Sequence, residues 1–308
     1  MLRVTFLGTA ASRPTVGRNV SALAVQRAGD SMLFDCGEGT QRQMMRFGTG
    51  FGVNDIFVTH LHADHFLGVI GLLRTLGLQE REEAVRLWGP EGSRAVLTQA
   101  VNLGIDRVPF PVVIEELSPG QKLEREAYDI EAYRSQHGVH SLGYALVEHD
   151  RPGRFHPDRA RELGVPEGPL FGLLHQGGAV EVNGRVVLPE EVVGPPRAGR
   201  RIVYTGDTRP CRGTVEMARG ADLLIHDATF AREEKERARA TGHATAHEAA
   251  EVARTAGVRR LVLTHLSARY ADDPRVLEQE ARQVFRGAVV AHDGMVIEVP
   301  FADGEEAS

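Results

Sequence analysis

Short apolar runs alternate with amphipathic stretches along most of the 308 residues, and the period of each stretch separates strands from helices. Runs at 4–7, 22–25, 32–34 and 56–59 read as strands, the last delivering His60. Stretches 66–78 and 91–103 carry helical spacing, the second ending near Gly104. A strand pair at 130–133 and 143–147 flanks His137. Beyond residue 200, strands at 201–204, 222–225 and 260–264 lead into Gly206-Asp207-Thr208, His226-Asp227 and His265. Residues 245–256 form the clearest helix. Thr245 caps it, Glu248 three residues on completes a capping box, and Gly257 ends it. Two β-rich halves, each followed by helices, predict an α/β protein built as a four-layer sandwich.

Residues from about 150 to 200 break this rhythm. Glycine and proline recur there too often for long regular elements, which reads as an extended insertion or a linker between domains. Leu163, Val165, Leu170, Phe171 and Leu173 favour an ordered insertion. The chain therefore reads as a single domain over 1–308 carrying an inserted arm at about 150–200.

Composition adds exclusions. With 42% hydrophobic and 25% charged residues, the chain can form a sizeable core. Its longest apolar stretch, 66–78, is broken by Arg74 and falls short of the roughly 18–20 residues of a membrane span. The opening residues alternate like a strand and are soon followed by Arg13 and Arg18, so they read as β-structure rather than a leader, and a cytoplasmic location is expected. Cys36 and Cys211 provide neither a disulfide framework nor thiolate-site spacing. A net charge of −6 excludes a globally basic nucleic-acid binder. An RNA partner would have to meet local clusters such as Arg151/Arg154/Arg159/Arg161, Arg197/Arg200/Arg201 or Arg209/Arg212, each of which alone reads as a solvated face.

The chemistry concentrates in His60-Leu61-His62-Ala63-Asp64-His65, four potential ligands in six positions directly after a strand. Core packing does not produce such a string. Imidazole and carboxylate without thiolate suit zinc, with manganese or iron as alternatives. Asp207 and His265, each just past a strand, fit loops at one sheet edge. A further histidine between them is either His137 or His140.

The H-x-H-x-D-H string, with later His, Asp and His at strand ends, resembles the metallo-β-lactamase superfamily. The resemblance implies the four-layer αβ/βα sandwich of that fold. His137-Gly138-Val139, followed by Gly143-Tyr144, is similar to that family's H-G-x-x-x-x-G-Y and selects His137. It implies two metal sites: His60, His62 and His137 in one, Asp64, His65 and His265 in the other, with Asp207 bridging. Asp64 would also orient the attacking water or take its proton.

Three further strings resemble the ribonuclease Z branch, whose members remove the 3′ trailer from precursor tRNA. Gly242-His243-Ala244-Thr245 is similar to that branch's G-H-S-T and implies His243 as donor to the leaving 3′-oxygen. Gly164-Val165-Pro166-Glu167-Gly168-Pro169-Leu170-Phe171-Gly172 looks like the G-x-P-x-G-P-x-x-G of a flexible tRNA-gripping arm, implying contacts at Gly168, Pro169 and Gly172. His175 stands where a lysine is usual. Pro14-Thr15-Val16-Gly17-Arg18-Asn19 is similar to P-x-K-x-R-N, with Val16 replacing Lys, and implies Arg18 and Asn19 as contacts to the acceptor end. The resemblance thus implies an endoribonuclease with two zinc ions per subunit (manganese as alternative), acting as a cytoplasmic homodimer without membrane partners. It would cut after the discriminator nucleotide, leaving a tRNA 3′-hydroxyl and a trailer 5′-phosphate. The competing expectation is a small-molecule phosphodiesterase or thioesterase of the same fold, which leaves the arm unexplained.

Overall fold

The structure, a computed structural model, describes residues 1–138 and 140–302. Val139, part of the string around His137, lies outside the described residues. The chain divides into two compact units, one of Met1–Val147 with the segment from Arg201 onward, the other of Glu148–Arg200.

The first half of the larger unit comprises β1 (Leu2–Gly8), β2 (Ala22–Arg27), β3 (Asp30–Cys36), α1 (Thr40–Phe47), β4 (Asp55–Phe57), α2 (Ala63–Phe66), α3 (Gly68–Leu78), β5 (Val85–Pro90), α4 (Arg94–Val101) and β6 (Val112–Leu117). β7 (Lys122–Glu124), β8 (Tyr128–Arg134) and β9 (Leu142–Glu148) start the second half. The smaller unit supplies α5 (Pro157–Glu162), α6 (Pro169–His175), β10 (Val180–Val182) and β11 (Arg185–Val187). Then come β12 (Arg201–Tyr204), α7 (Arg212–Met217), β13 (Leu223–Asp227), α8 (Lys235–Thr241), α9 (Ala246–Ala256), β14 (Leu261–Thr264), α10 (Arg275–Arg282), β15 (Ala288–Val290) and β16 (Val296–Glu298).

Two seven-stranded sheets result, ordered β16-β1-β2-β3-β4-β5-β6 and β15-β14-β13-β12-β9-β8-β7. Their inner strands, such as β3 and β12, are buried on both faces. Met32 and Phe34 of β3, with Ile202 and Tyr204 of β12, enter the core between the sheets. Leu33 faces the layer of α1, α3 and α4, while Val203 faces that of α7, α9 and α10. Period-two alternation with both faces apolar is what a sheet covered on each side requires. Each such side chain contributes roughly 1.5–3 kcal/mol by leaving water. Four layers, α/β/β/α, follow.

Several elements differ from the pattern-based reading. The helix expected at 66–78 is divided at Leu67 into α2 and α3. A Cβ on Gly68 would meet the Gly37 carbonyl oxygen at 1.9 Å, and one on Gly37 would meet the Asp64 carbonyl oxygen at 2.3 Å. This glycine pair lets the turn bearing Asp64 and His65 press against the end of β3. The expected helix at 91–103 begins only at Arg94, because 85–90 is strand β5 running into a turn. The opening residues are β1, paired to β2 and to β16, with Val4 opposite both Val25 and Ile297. The capping box of α9 is present, Glu248 donating its N–H to Thr245 Oγ1 at 3.2 Å and accepting the Thr245 N–H at 3.1 Å.

The smaller unit has its own apolar cluster of Ala160, Val165, Leu174, Val180, Val187 and Val192. Its two ends run antiparallel: the Glu148 N–H donates to Arg200 O, and Arg151 and Arg197 exchange backbone bonds. Arg200 grips Glu148 by Nε and Nη2 at 2.6 and 2.8 Å, both side chains buried. Gly168 (φ 131°), Pro169 and Gly172 lie exposed at the start of α6. His175 approaches the Gly153 carbonyl oxygen at 3.0 Å. Arg159 and Arg161 pair with acids in or just beyond α5.

Candidate metal centre

Loops after the C-terminal ends of β4, β12 and β14, together with the β8–β9 link, carry the histidines and aspartates to one edge of the two sheets, the edge where open α/β sheets bind ligands. Backbone conformations there are unusual. His265 has φ 60° and Asp35 φ 58°, a region costly for such residues and tolerated where packing enforces it. Gly206 has φ 56°, and a Cβ there would lie 2.8 Å from the Thr59 side chain, so glycine is what allows Asp207 to approach β4.

Two groups of ligating atoms meet around Asp207. In the first, His62 Nδ1 and His137 Nε2 are 3.2 Å apart, and Asp207 Oδ2 lies 3.6 Å from His60 Nε2 and 3.9 Å from His137 Nε2. In the second, His65 Nε2 and His265 Nε2 are 3.3 Å apart, each 3.2 Å from Asp207 Oδ1. Asp64 Oδ2 completes it, 3.6 Å from His65 Nε2 and 3.4 Å from His265 Nε2. One carboxylate therefore presents one oxygen to each group.

The surroundings aim these atoms. His60 Nδ1 lies 3.0 Å from Thr59 Oγ1, His65 Nδ1 2.7 Å from Asp35 Oδ2, His137 Nδ1 2.9 Å from Gly242 O and His265 Nδ1 3.0 Å from Thr229 Oγ1. In all four rings Nδ1 is engaged from behind and Nε2 faces the centre, the arrangement outer hydrogen bonds impose on metal-binding histidines. His60 Nε2 is buried without a hydrogen-bond partner. Burial, then neighbouring His65, holds His60 well below the ordinary histidine range, keeping its lone pair available. Burial opposes ionisation of Asp207, but His265 and His65 outweigh it and hold the carboxyl well below its usual range. Converging imidazole lone pairs around an ionised carboxylate are a donor set suited to divalent cations.

Two acids escaped the sequence reading. Asp35 accepts from Thr59 N–H, Thr59 Oγ1 and Tyr204 OH at 2.8–3.0 Å besides meeting His65. Asp227 accepts from Thr229 and from the Thr208 N–H, and holds His243 Nδ1 at 2.8 Å. Burial lowers the pKa of His243, but the Asp227 carboxylate outweighs it and raises the group to about 9. The His243 ring stacks on His265 at a centroid distance of 5.2 Å and leans on His137 at 5.0 Å. A strand-ending acid before a small residue was the available signal for both.

Other candidates fall elsewhere. His140 is exposed beside Arg134 and Glu91. His247 pairs with Glu251 at 3.5 Å. Arg18 and Asn19, expected at the acceptor end, are half-buried and hydrogen-bonded within the protein: Arg18 Nη1 donates to Thr9 Oγ1 and Ala291 O, and Asn19 Nδ2 donates to Glu38 O. Cys36 and Cys211 are free thiols. No helix among the described residues is long and apolar enough to cross a membrane.

The four-layer sandwich with this histidine–aspartate cluster at its sheet edge defines a protein of the metallo-β-lactamase fold. Comparison with known proteins agrees: residues 192–266 match the beta-lactamase superfamily domain and residues 2–147 the model of the anti-Pycsar protein Apyc1. Ribonuclease Z of Gemmatimonas aurantiaca is 57% identical over 98% of this chain and 97% of its own, and that of Haloferax volcanii 55% over 99% and 97%. The crystal structure of human tRNase Z, short form, superposes with a TM-score of 0.70 at 29% identity, covering 97% of this chain and all of that one. The chain belongs to the ribonuclease Z family.

Proposed function

We propose that this protein is a tRNA 3′-processing endoribonuclease that hydrolyses precursor tRNA after the discriminator nucleotide, leaving a 3′-hydroxyl on the tRNA and a 5′-phosphate on the trailer. The observation that carries the reading is Asp207, whose two oxygens each face a separate cluster of imidazoles. His60, His62 and His137 would hold one cation and Asp64, His65 and His265 the other, with Asp207 shared. Zinc suits these donors, and manganese is the alternative. Two such cations, when bound, lower the pKa of water toward neutrality and offset charge on the phosphoryl group.

The chain's own groups do the remainder. Asp64 orients the attacking water and takes its proton as the new P–O bond forms. The bond from phosphorus to the 3′-oxygen breaks, and His243, braced by Asp227, gives that oxygen a proton. The unit of residues 148–200 is the tRNA-gripping arm, with Gly168, Pro169 and Gly172 on its exposed surface. A cytoplasmic homodimer belongs to the same reading.

Single-turnover cleavage of precursor tRNA tests these roles. Asp64→Ala should abolish cleavage while RNA binding persists, and His243→Ala should slow the chemical step by roughly 10²–10⁴-fold. An unchanged single-turnover rate in His243→Ala removes that residue from the mechanism.

A further inference from the structure

Asp293 lies in the turn between β15 and β16, outside every string singled out in the sequence, yet its carboxylate gathers the loop joining β1 to β2. Oδ1 accepts from the Thr9 hydroxyl at 2.8 Å. Oδ2 accepts the Asn19 N–H at 2.6 Å and Gln43 Nε2, from α1, at 2.8 Å. Thr9 Oγ1 in turn accepts Arg18 Nη1 at 2.7 Å. Both ends of the loop are thus tied to one carboxylate from the far end of the chain. Hydrogen bonds to an ionised acceptor are roughly twice as strong as neutral ones, so this knot is a firm anchor.

The loop so anchored turns toward the candidate centre. The Ser12 N–H donates to Asp64 Oδ2 at 2.7 Å. The Ala11 N–H donates to the carbonyl of Leu266, next to His265, at 2.9 Å. Ser12 has φ 61°, a conformation serine keeps only where its surroundings enforce it. Released from its anchor, the loop would relax and its N–H would leave Asp64.

We propose that Asp293 is a positioning residue for hydrolysis, acting through Thr9 and Asn19 to hold the loop whose Ser12 N–H orients the Asp64 carboxylate. The inference rests on the function proposed above. It gives Arg18 and Asn19 the work of bracing the loop and leaves its exposed Arg13 and Val16 as the surface turned outward.

The test uses zinc-loaded enzyme with two substrates, precursor tRNA and bis(p-nitrophenyl) phosphate. Asp293→Asn keeps the shape but sets an amide NH2 against at least one donor. Its kcat should fall on the order of 10-fold on both substrates, with KM for the small diester and zinc per chain as in wild type. Amide exchange at Ser12 should quicken while that of Val4 and Phe6 in β1 is retained. Should Asp293→Asn fail to fold, a second pair decides: Thr9→Val should show the same kcat loss in weaker form, and Thr9→Ser, which keeps the hydroxyl, should restore it. Unchanged kcat in Asp293→Asn and Thr9→Val, or Thr9→Ser no better than Thr9→Val, overturns the proposal. Wild-type enzyme that leaves precursor tRNA intact overturns the proposed function instead.

Discussion

Replacing Asp207 by alanine should abolish cleavage, lowering kcat/KM by roughly 10³-fold or more, and should lower the number of zinc ions retained per chain. Its Oδ2 faces the group of His60, His62 and His137, and its Oδ1 faces that of His65 and His265. Removing either oxygen leaves one group short of a ligand, and alanine removes both together. It also deprives the surrounding imidazoles of the buried negative charge they face. Metal analysis of the gel-filtered variant beside single-turnover cleavage checks this. A variant that binds the full complement of metal and cleaves normally would show that the shared carboxylate has no part in the centre.

Excising residues 149–199 and closing the gap with a short Gly/Ser turn should separate the two substrates. Val147 and Arg201 are direct partners in the β9–β12 pairing, so the cut ends already lie as in a hairpin. The residues of the candidate centre all belong to the larger unit, and the excised unit carries its own apolar cluster. Hydrolysis of bis(p-nitrophenyl) phosphate should therefore persist, while kcat/KM on precursor tRNA should drop by roughly 10²-fold or more as phosphate contacts are lost. Equal loss on both substrates would mean that the unit supports the centre rather than the RNA. Equal retention would remove it from RNA binding.

Much of the candidate centre was legible because its potential ligands are written close together. His60 to His65 form a contiguous string, and Asp207 and His265 follow apolar runs that announce strands. Asp35 and Asp227 were not legible. Each looks like an ordinary strand-ending acid until folding brings Tyr204 and His65 to the first and His243 to the second. Motif resemblance singled out Arg18 and Asn19 but could not report the hydrogen bonds they make within the protein, since a string records which residues occur and not which way they point. Asp293 left no trace at all, its partners lying 250 to 284 residues away.

In the fold, strands with strict apolar character such as β1, β3 and β12 were readable from the pattern. β6, with Glu115 and Glu116 in its second half, and the three-residue β7, β15 and β16 were not, because short edge strands bury too little to impose a period. The helix boundary at Leu67 was hidden for another reason. It depends on the backbone contact between Gly37 and Gly68, which no local periodicity reports.

The most direct measurement is to incubate the purified protein with one precursor tRNA, with and without a divalent-metal chelator, and to map the cut ends. A single chelator-sensitive cut after the discriminator nucleotide, restored by adding zinc, is the expected result. Cleavage indifferent to the chelator, or intact precursor alongside zinc-dependent hydrolysis of a small diester, would contradict the account.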